Sequence, residues 1–248
     1  MHRIILELPW FTICSYGLLV TLGFTAATLY FLIGTAREHL SQRLMLSLVL
    51  GIIIFALVGA RAFYVFTHLH HYLLHPKEVC LIWKGGMILY GGLFFSLAFS
   101  LYYIKTRNLF FSQIADCAAP AIAFGLSIGR IGCFLNGCCY GIPSSFGFIF
   151  PLTSPAGECF PYQRLFPTQL TSSLNLFLIG LVLHIFKKRG IAKHKLLLLF
   201  LIFYAVHRFF IEFLRGDVRP VILNLTLFQV VSIALIVSSV IIWWRVNG

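Results

Sequence analysis

The sequence predicts an all-α integral membrane protein of seven transmembrane helices, with the N-terminus outside and the C-terminus in the cytoplasm. Two observations set that class and a third sets the orientation. Of 248 residues, 60% are hydrophobic and 10% charged, with a mean hydropathy of +0.94, whereas a soluble domain carries about 25% charged residues. Seven apolar runs reach or approach the roughly 20 residues that cross a hydrocarbon core. Basic residues gather on alternate connections, the side that the positive-inside rule assigns to the cytoplasm.

The first run is Trp10–Ile33. It is too long for the apolar stretch of a signal peptide, its leading segment has only His2 and Arg3, and the small-residue site Thr25-Ala26-Ala27 lies inside the run. Met1–Pro9 mixes Arg3 and Glu7 with isoleucine and leucine, as a surface-lying segment would. Six further spans are expected at Leu44–Phe66, Met87–Ile104, Ser112–Leu135, Pro167–Phe186, Leu196–Leu214 and Leu225–Trp244. The inner connections hold Arg37 and Arg43, then Lys105 and Arg107, then Lys187, Lys188, Arg189, Lys193 and Lys195, with Arg245 after the last span. The outer ones hold Lys77, Lys84, Arg164, Arg215 and Arg219, so the run from Lys187 to Lys195 carries most of the bias. The chain reads as one transmembrane domain, 1–248, with 142–166 as an outer-face loop rich in proline. Its loops leave no room for a soluble domain, and neither an internal repeat nor a low-complexity stretch is evident. The formal charge of +12 does not indicate nucleic acid, because the basic residues are dispersed between apolar runs as anchors on an anionic leaflet.

With this orientation the unusual residues collect at the outer face: Arg61, the pairs Gly85-Gly86 and Gly91-Gly92, Arg130, and Arg215, Asp217 and Arg219. The densest stretch is GRIGCFLNGCCYG, 129–141. Arg130 ends an apolar run, where an unpaired guanidinium costs roughly 2.5–3.5 kcal/mol on insertion scales and so calls for a partner or a ligand. Glycines 129, 132, 137 and 141 let backbone approach an anion or a neighbouring helix, and Asn136 adds a neutral donor and acceptor. Guanidinium and phosphate pair through two parallel hydrogen bonds, so the stretch suits a lipid phosphate. The plainer alternative is helix packing by the glycines and a snorkelling arginine.

In the sixth span Tyr204, Arg208, Glu212 and Arg215 are spaced i, i+4, i+8 and i+11, which places them on one helical stripe. It serves either as an internal Arg208–Glu212 ion pair that fixes packing or as Glu212 holding Arg208 toward a phosphate. The seven cysteines are Cys14, Cys80, Cys117, Cys133, Cys138, Cys139 and Cys159. Cys14, Cys117 and Cys133 lie in or near apolar runs as small hydrophobes. An odd total cannot all pair within the chain, and a disulfide from Cys138 or Cys139 to Cys159 or Cys80 stays open. Zinc wants four ligands and this loop has no nearby histidine, so no metal or other cofactor is expected.

With these residues in hand, the chain resembles the bacterial prolipoprotein diacylglyceryl transferase family nearly end to end. The matching pieces are SYGLLVTLGF at 15–24, VGARAFYVF at 58–66, WKGGMILYGGL at 83–93, QIADCAAPAIAFGLSIGRIG at 113–132, FPTQL at 166–170 and YAVHRFFIEFLRGD at 204–217. The resemblance implies a phosphatidylglycerol-dependent transfer: the diacylglyceryl group moves to the cysteine thiol of a lipobox-containing prolipoprotein, a thioether forms and glycerol phosphate leaves. It also implies a multi-pass enzyme of the bacterial cytoplasmic (inner) membrane with its site toward the outer face. Arg130 and Arg208 match the family's essential arginines and are the expected phosphate clamp. Tyr16, Asn136, Gly141, Tyr204 and Glu212 match further site positions, and Arg61 matches an arginine with a lipid-head or packing role.

The chain departs from the family where a proton would be handled. GGMSFHGGL, whose histidine is proposed as base, becomes GGMILYGGL with Tyr90, and an unperturbed tyrosine titrates near pH 10. GNFINGE becomes GCFLNGC, with Cys133 at an asparagine and Cys138 at a glutamate, and QLYE becomes Gln169-Leu170-Thr171-Ser172. Either the arginine field activates the thiol with Tyr90 as a hydrogen-bond donor, or the fold serves another acceptor or a non-catalytic lipid-binding role. His207 sits about 100° off the Arg208 stripe and reads as a packing residue. Cys138 as a covalent lipid carrier is a remote option. A small transporter is a third class, disfavoured because transporters place ionisable residues near the midplane.

Overall fold

The computed structural model describes residues 4–8, 11–81, 85–219, 221–222 and 224–247. Expectations for Met1–Arg3, Pro9, Trp10, Trp83 and Lys84 lie outside the described residues. The chain divides into two compact units, Leu32–Ile114 and Met1–Phe31 with Ala115–Gly248. Each is described by itself.

Each of the seven apolar runs contains a helix: α1 (Ser15–Arg37), α2 (Gln42–Thr67), α4 (Leu89–Thr106), α5 (Phe111–Asn136), α7 (Thr168–Lys188), α8 (Leu196–Ile211) and α9 (Leu227–Asn247). Short helices α3 (Leu69–Leu74) and α6 (Pro155–Cys159) fall in connections. Among the described residues six helices are long and apolar enough to cross a membrane: Ser15–Arg37, Gln42–Thr67, Phe111–Asn136, Thr168–Lys188, Leu196–Leu214 and Leu227–Arg245. The expected third span is the exception. Its helix, α4, has 18 residues, with Tyr90 at its start and Tyr102, Tyr103 and Lys105 near its end.

Two expectations are corrected. The first span starts at Ser15 rather than Trp10, because Phe11–Cys14 forms strand β2 and pairs antiparallel with β1 (Ile4–Leu8). A short apolar run does not by itself distinguish a strand from the start of a helix. The stripe on the sixth span also ends early: after Ile211 the chain tightens to a 3₁₀ turn, Glu212–Leu214, and Arg215 is extended (φ −85°, ψ 138°). Arg215 therefore leaves the Arg208 face. Strands β3 (Pro143–Ile149) with β4 (Arg164–Leu165), and β5 (Val221–Ile222) with β6 (Leu225–Thr226), form two more antiparallel pairs.

In the 32–114 unit, α2 and α4 meet backbone to backbone. A Cβ on Gly59 would lie 2.5 Å from the Gly91 carbonyl oxygen, and one on Gly92 would lie 2.8 Å from that of Ala56. Small residues are what permit such a crossing. In the other unit, α1 and α5 cross in the same way, since a Cβ on Gly23 would lie 2.6 Å from the Gly125 oxygen. At the far end of α5 the buried carboxylate of Asp116 accepts hydrogen bonds from the backbone N–H groups of His194 and Leu196. It thereby satisfies donors at the start of α8, where a negative charge is favoured by the helix dipole. Ala119, Ala123, Ile179, Leu183, Leu196 and Phe200 form the core between α5, α7 and α8.

Candidate active site

The α1–α5 crossing positions the first residues of the site. Gly132 approaches α1 closely, its Cβ position lying 3.4 Å from the Tyr16 oxygen and 3.2 Å from Leu19 Cβ. This sets Tyr16, in the first turn of α1, beside the last turns of α5. The Tyr16 hydroxyl lies within electrostatic range of Arg130, Cys133, Cys138 and Cys139. Arg130 is half-buried and has no hydrogen-bond or ion-pair partner among the described residues. A guanidinium in that position within a membrane helix is an invitation to an anion.

Arg208 reaches the same neighbourhood from α8. It is buried, forms an ion pair with Glu212 at 2.9 Å, and has its guanidinium carbon 4.5 Å from the centre of the Phe228 ring. Glu212 is fully buried and is also 3.4 Å from Arg219, whose guanidinium lies 4.7 Å from the same ring. Among the described residues neither Glu212 oxygen has a well-directed hydrogen bond, so the carboxylate is held by charge and leaves most of Arg208's five N–H donors uncommitted. Arg219 and Arg215 both grip Asp217: the Arg215 fork makes two bonds of 2.8 Å and Arg219 a further bond of 2.8 Å. Burial pushes the Asp217 carboxyl up, but the two guanidiniums prevail and hold it below its ordinary value. Arg215 continues the chain of contacts to the Cys139 sulfur.

His207 lies within electrostatic range of both Arg130 and Arg208. Its Nδ1 accepts a hydrogen bond from the Asn175 amide at 2.7 Å. In the neutral ring that leaves the proton on Nε2, a donor. His207, although off the stripe, thus joins the two arginines, a placement that helical angle alone concealed. Tyr204 is half-buried one turn before Arg208 and stacks on Phe200, with ring centres 5.8 Å apart.

The outer loop is built around Cys138–Gly141. Gly137 (φ +73°) and Cys139 (φ +58°) are both left-handed, a conformation that costs a residue with a Cβ roughly 1–2 kcal/mol. The turn is held by its carbonyls: Gly137 accepts from Ala156 N–H (3.0 Å), Cys138 from Gln169 Nε2 (2.9 Å) and Cys139 from Thr168 Oγ1 (2.8 Å). As a result the sulfurs of Cys133, Cys138 and Cys139 lie within 4.8 Å of one another. The Asn136 side chain lies beside the Cys138 sulfur, whose thiol points to the Cys133 carbonyl at 3.7 Å. The neighbouring thiols and the Arg215 guanidinium hold the Cys139 thiol below its ordinary value. None of the seven cysteines is in a disulfide, Cys80 and Cys159 included. Gln169 Oε1 is buried with no hydrogen-bond partner among the described residues. Gly141 is a crossing point, since its Cβ would lie 2.5 Å from the Phe166 oxygen and 2.9 Å from that of Leu214.

The other two sequence-predicted residues lie in the 32–114 unit. Arg61 donates to four backbone carbonyls, those of Glu78 (2.6 Å), Gly85 (2.7 Å), Val79 (2.9 Å) and Gly86 (3.1 Å). It also packs against the rings of Tyr64 and Tyr72. Its donors are thus engaged in tying Glu78–Val79 and Gly85–Gly86 to α2. An apolar groove of about 740 Å³ beside it is lined by Ile54, Val58, Val65, Phe66 and Val79 among others. Tyr90, in the first turn of α4, is exposed.

Residues 3–245 match the family described as prolipoprotein diacylglyceryl transferase. The chain belongs to that family. Among relatives bearing this name, the phosphatidylglycerol–prolipoprotein diacylglyceryl transferase 2 of Clostridium perfringens is 34% identical over 247 residues, covering 97% of this chain and 94% of its own. The phosphatidylglycerol–prolipoprotein diacylglyceryl transferase of Geobacillus kaustophilus is 34% identical over 248 residues, covering 98% and 92%. That of Finegoldia magna is 32% identical over 243 residues, covering 98% and 94%. As a member of the diacylglyceryl transferase family, the chain pairs Arg130 and Arg208 with Tyr16, Asn136, Tyr204 and Glu212 in one unit, while Tyr90 and Arg61 belong to the other.

Proposed function

We propose that this protein transfers the diacylglyceryl group of phosphatidylglycerol to the cysteine thiol of a prolipoprotein, the activity named for its relatives. The observation that carries the proposal is Arg130, a half-buried guanidinium at the end of a membrane helix with no partner among the described residues. Arg208, held by Glu212 with donors to spare, and the Nε2 proton of His207 complete a set of donors suited to a phosphate diester. During transfer the acceptor sulfur attacks the glyceryl carbon, the bond from that carbon to the phosphate oxygen breaks, and glycerol phosphate leaves. Charge grows on the phosphate as it departs, so fixed guanidiniums favour the transition state over the bound lipid.

In this reading Tyr16, Asn136, Tyr204 and Glu212 shape the site. Gly141 holds its roof, and Arg61 serves as scaffold beneath an acyl-accommodating groove. Tyr90 acts as a hydrogen-bond donor, which Tyr90→Phe tests. The chain forms one transmembrane domain, with α4 as the third of seven spans, the N-terminus outside, the 142–166 loop on the outer face, and the bacterial cytoplasmic membrane as its location. The acceptor carries a lipobox cysteine. Its membrane setting and dispersed basic residues leave no role for nucleic acid.

The test is mass spectrometry of a lipobox peptide incubated with purified protein and phosphatidylglycerol. A diacylglyceryl mass gain on the peptide cysteine, absent with Arg208→Ala, supports the reading. No gain from folded, lipid-binding protein favours the second reading, a paralogue with another acceptor or a non-catalytic lipid-binding role, toward which Tyr90, Cys133 and Cys138 already point.

A further inference from the structure

The transferase reading leaves one chemical requirement unmet. A thiol must lose its proton to attack carbon, yet tyrosine stands at position 90 and the one histidine beside the arginines already accepts a hydrogen bond at Nδ1. What the structure offers instead is three thiols. Cys133 projects from the last turns of α5, and the left-handed residues Gly137 and Cys139 turn the chain back so that Cys138 and Cys139 face it. Their sulfurs lie within 4.8 Å of one another, close to the roughly 3.8 Å between sulfurs on a tetrahedral zinc with bonds of about 2.3 Å. Every carbonyl of the turn is bonded, two of them by Thr168 and Gln169 from the start of α7, so the grouping is fixed by the fold.

We propose that Cys133, Cys138 and Cys139 form a three-thiolate zinc site whose fourth position takes the acceptor cysteine as a thiolate. The sequence argued against a metal for want of a histidine, but histidine is not required: three protein ligands with one open position are the pattern of catalytic zinc. Zinc deprotonates a coordinating thiol, which replaces a general base. On binding, the acceptor's proton passes to solvent. Its sulfur then supplies the electron pair for the new carbon–sulfur bond, and the pair of the breaking carbon–oxygen bond leaves with glycerol phosphate. The product thioether is neutral and a weaker ligand than the thiolate it replaces, which permits release. Arg215 at Cys139 and Arg130 across Tyr16 offset the negative charge of a four-thiolate site, and Arg130 is the residue assigned to the leaving phosphate. Metal and phosphate clamp would therefore face one reaction.

The inference rests on the transferase reading, and its test separates the two. Full-length protein in detergent, stripped by chelation, is titrated with cobalt(II), whose sulfur-to-metal charge-transfer absorption reports thiolate ligands. The expected result is one cobalt per chain. Cys133→Ser, Cys138→Ser and Cys139→Ser each weaken binding by at least the roughly 10–100-fold that losing even an outer-shell partner costs, and Cys159→Ser leaves it unchanged. A lipobox peptide then raises the band by about one-third, four thiolates against three, and its serine analogue does not. Failure to bind cobalt, binding indifferent to the three cysteines, or no gain with the peptide overturns the site. So does a disulfide among the three in active protein, or full transfer by the stripped enzyme, and that last result leaves the transferase reading intact. A peptide-dependent gain without transfer from phosphatidylglycerol keeps the metal–thiolate site and removes the donor.

Discussion

Glu212 is the most instructive residue to perturb, because two cations depend on it. Its side chain is fully buried, 2.9 Å from Arg208 and 3.4 Å from Arg219, and the Arg208 side chain is only 9% exposed. Removing one member of a buried pair leaves an uncompensated charge and costs about 3–5 kcal/mol. Here it leaves two like charges against the faces of one Phe228 ring, so Glu212→Met should fall in the upper part of that range. Replacing both partners removes the orphaned charge as well. Arg208→Met/Glu212→Met should therefore recover most of the loss while abolishing transfer. The assay is reversible unfolding in mixed micelles of the four proteins in a double-mutant cycle, read by circular dichroism. A coupling below about 1 kcal/mol, the range of exposed pairs, would refute the claim that this pair is dry and mutually dependent.

Three further outcomes are expected. Arg130→Lys should lower transfer by roughly 10²–10³-fold, the scale of losing a transition-state donor, while changing stability by less than about 0.5 kcal/mol, because Arg130 has no hydrogen-bond or ion-pair partner among the described residues; radiolabelled lipid transfer and a melting curve check both halves. Gly141→Ala should cost about 1–3 kcal/mol through overpacking against the Phe166 and Leu214 carbonyls, measured by thermal unfolding. The Asp217 carboxyl is held below its ordinary value, so its pairing with Arg215 and Arg219 contributes stability above the usual carboxylate range, about pH 3.9, and loses it as pH falls through the lower folded value. Wild type should lose its advantage over Asp217→Asn in that acidic window and keep it undiminished at pH 6–8.

Much of the framework was legible in the sequence because membrane helices are written in composition. The runs at Leu44–Phe66 and Ser112–Leu135 lie within two residues of α2 and α5 at each end. Phe11–Cys14 was not legible, since an apolar tetrapeptide has no period long enough to exclude a strand. The i, i+4 relation gave Arg208–Glu212 correctly, but the tightening to a 3₁₀ turn that removes Arg215 from the stripe depends on tertiary contacts. Cys133 and Cys138–Cys139 looked like unrelated cysteines, because their convergence needs two left-handed residues and the side chains of Thr168 and Gln169. The proximity of His207 to Arg130 likewise belongs to the packing of α5 against α8, not to either helix alone.

The glycine contact between α2 and α4 bears on how the chain enters the bilayer. Alone, the 18 residues of α4 fall short of the length and apolarity of the other spans, and a translocon reading segments singly would hesitate over them. With Gly59, Gly91 and Gly92 bringing two backbones into contact, the 26 residues of α2 can chaperone their neighbour. In the seven-span arrangement proposed above, the pair, rather than the helix, becomes the unit of insertion. A bulkier residue at Gly59 would then be felt first during biogenesis, as α4 left on the wrong side of the membrane, before any catalytic group had formed.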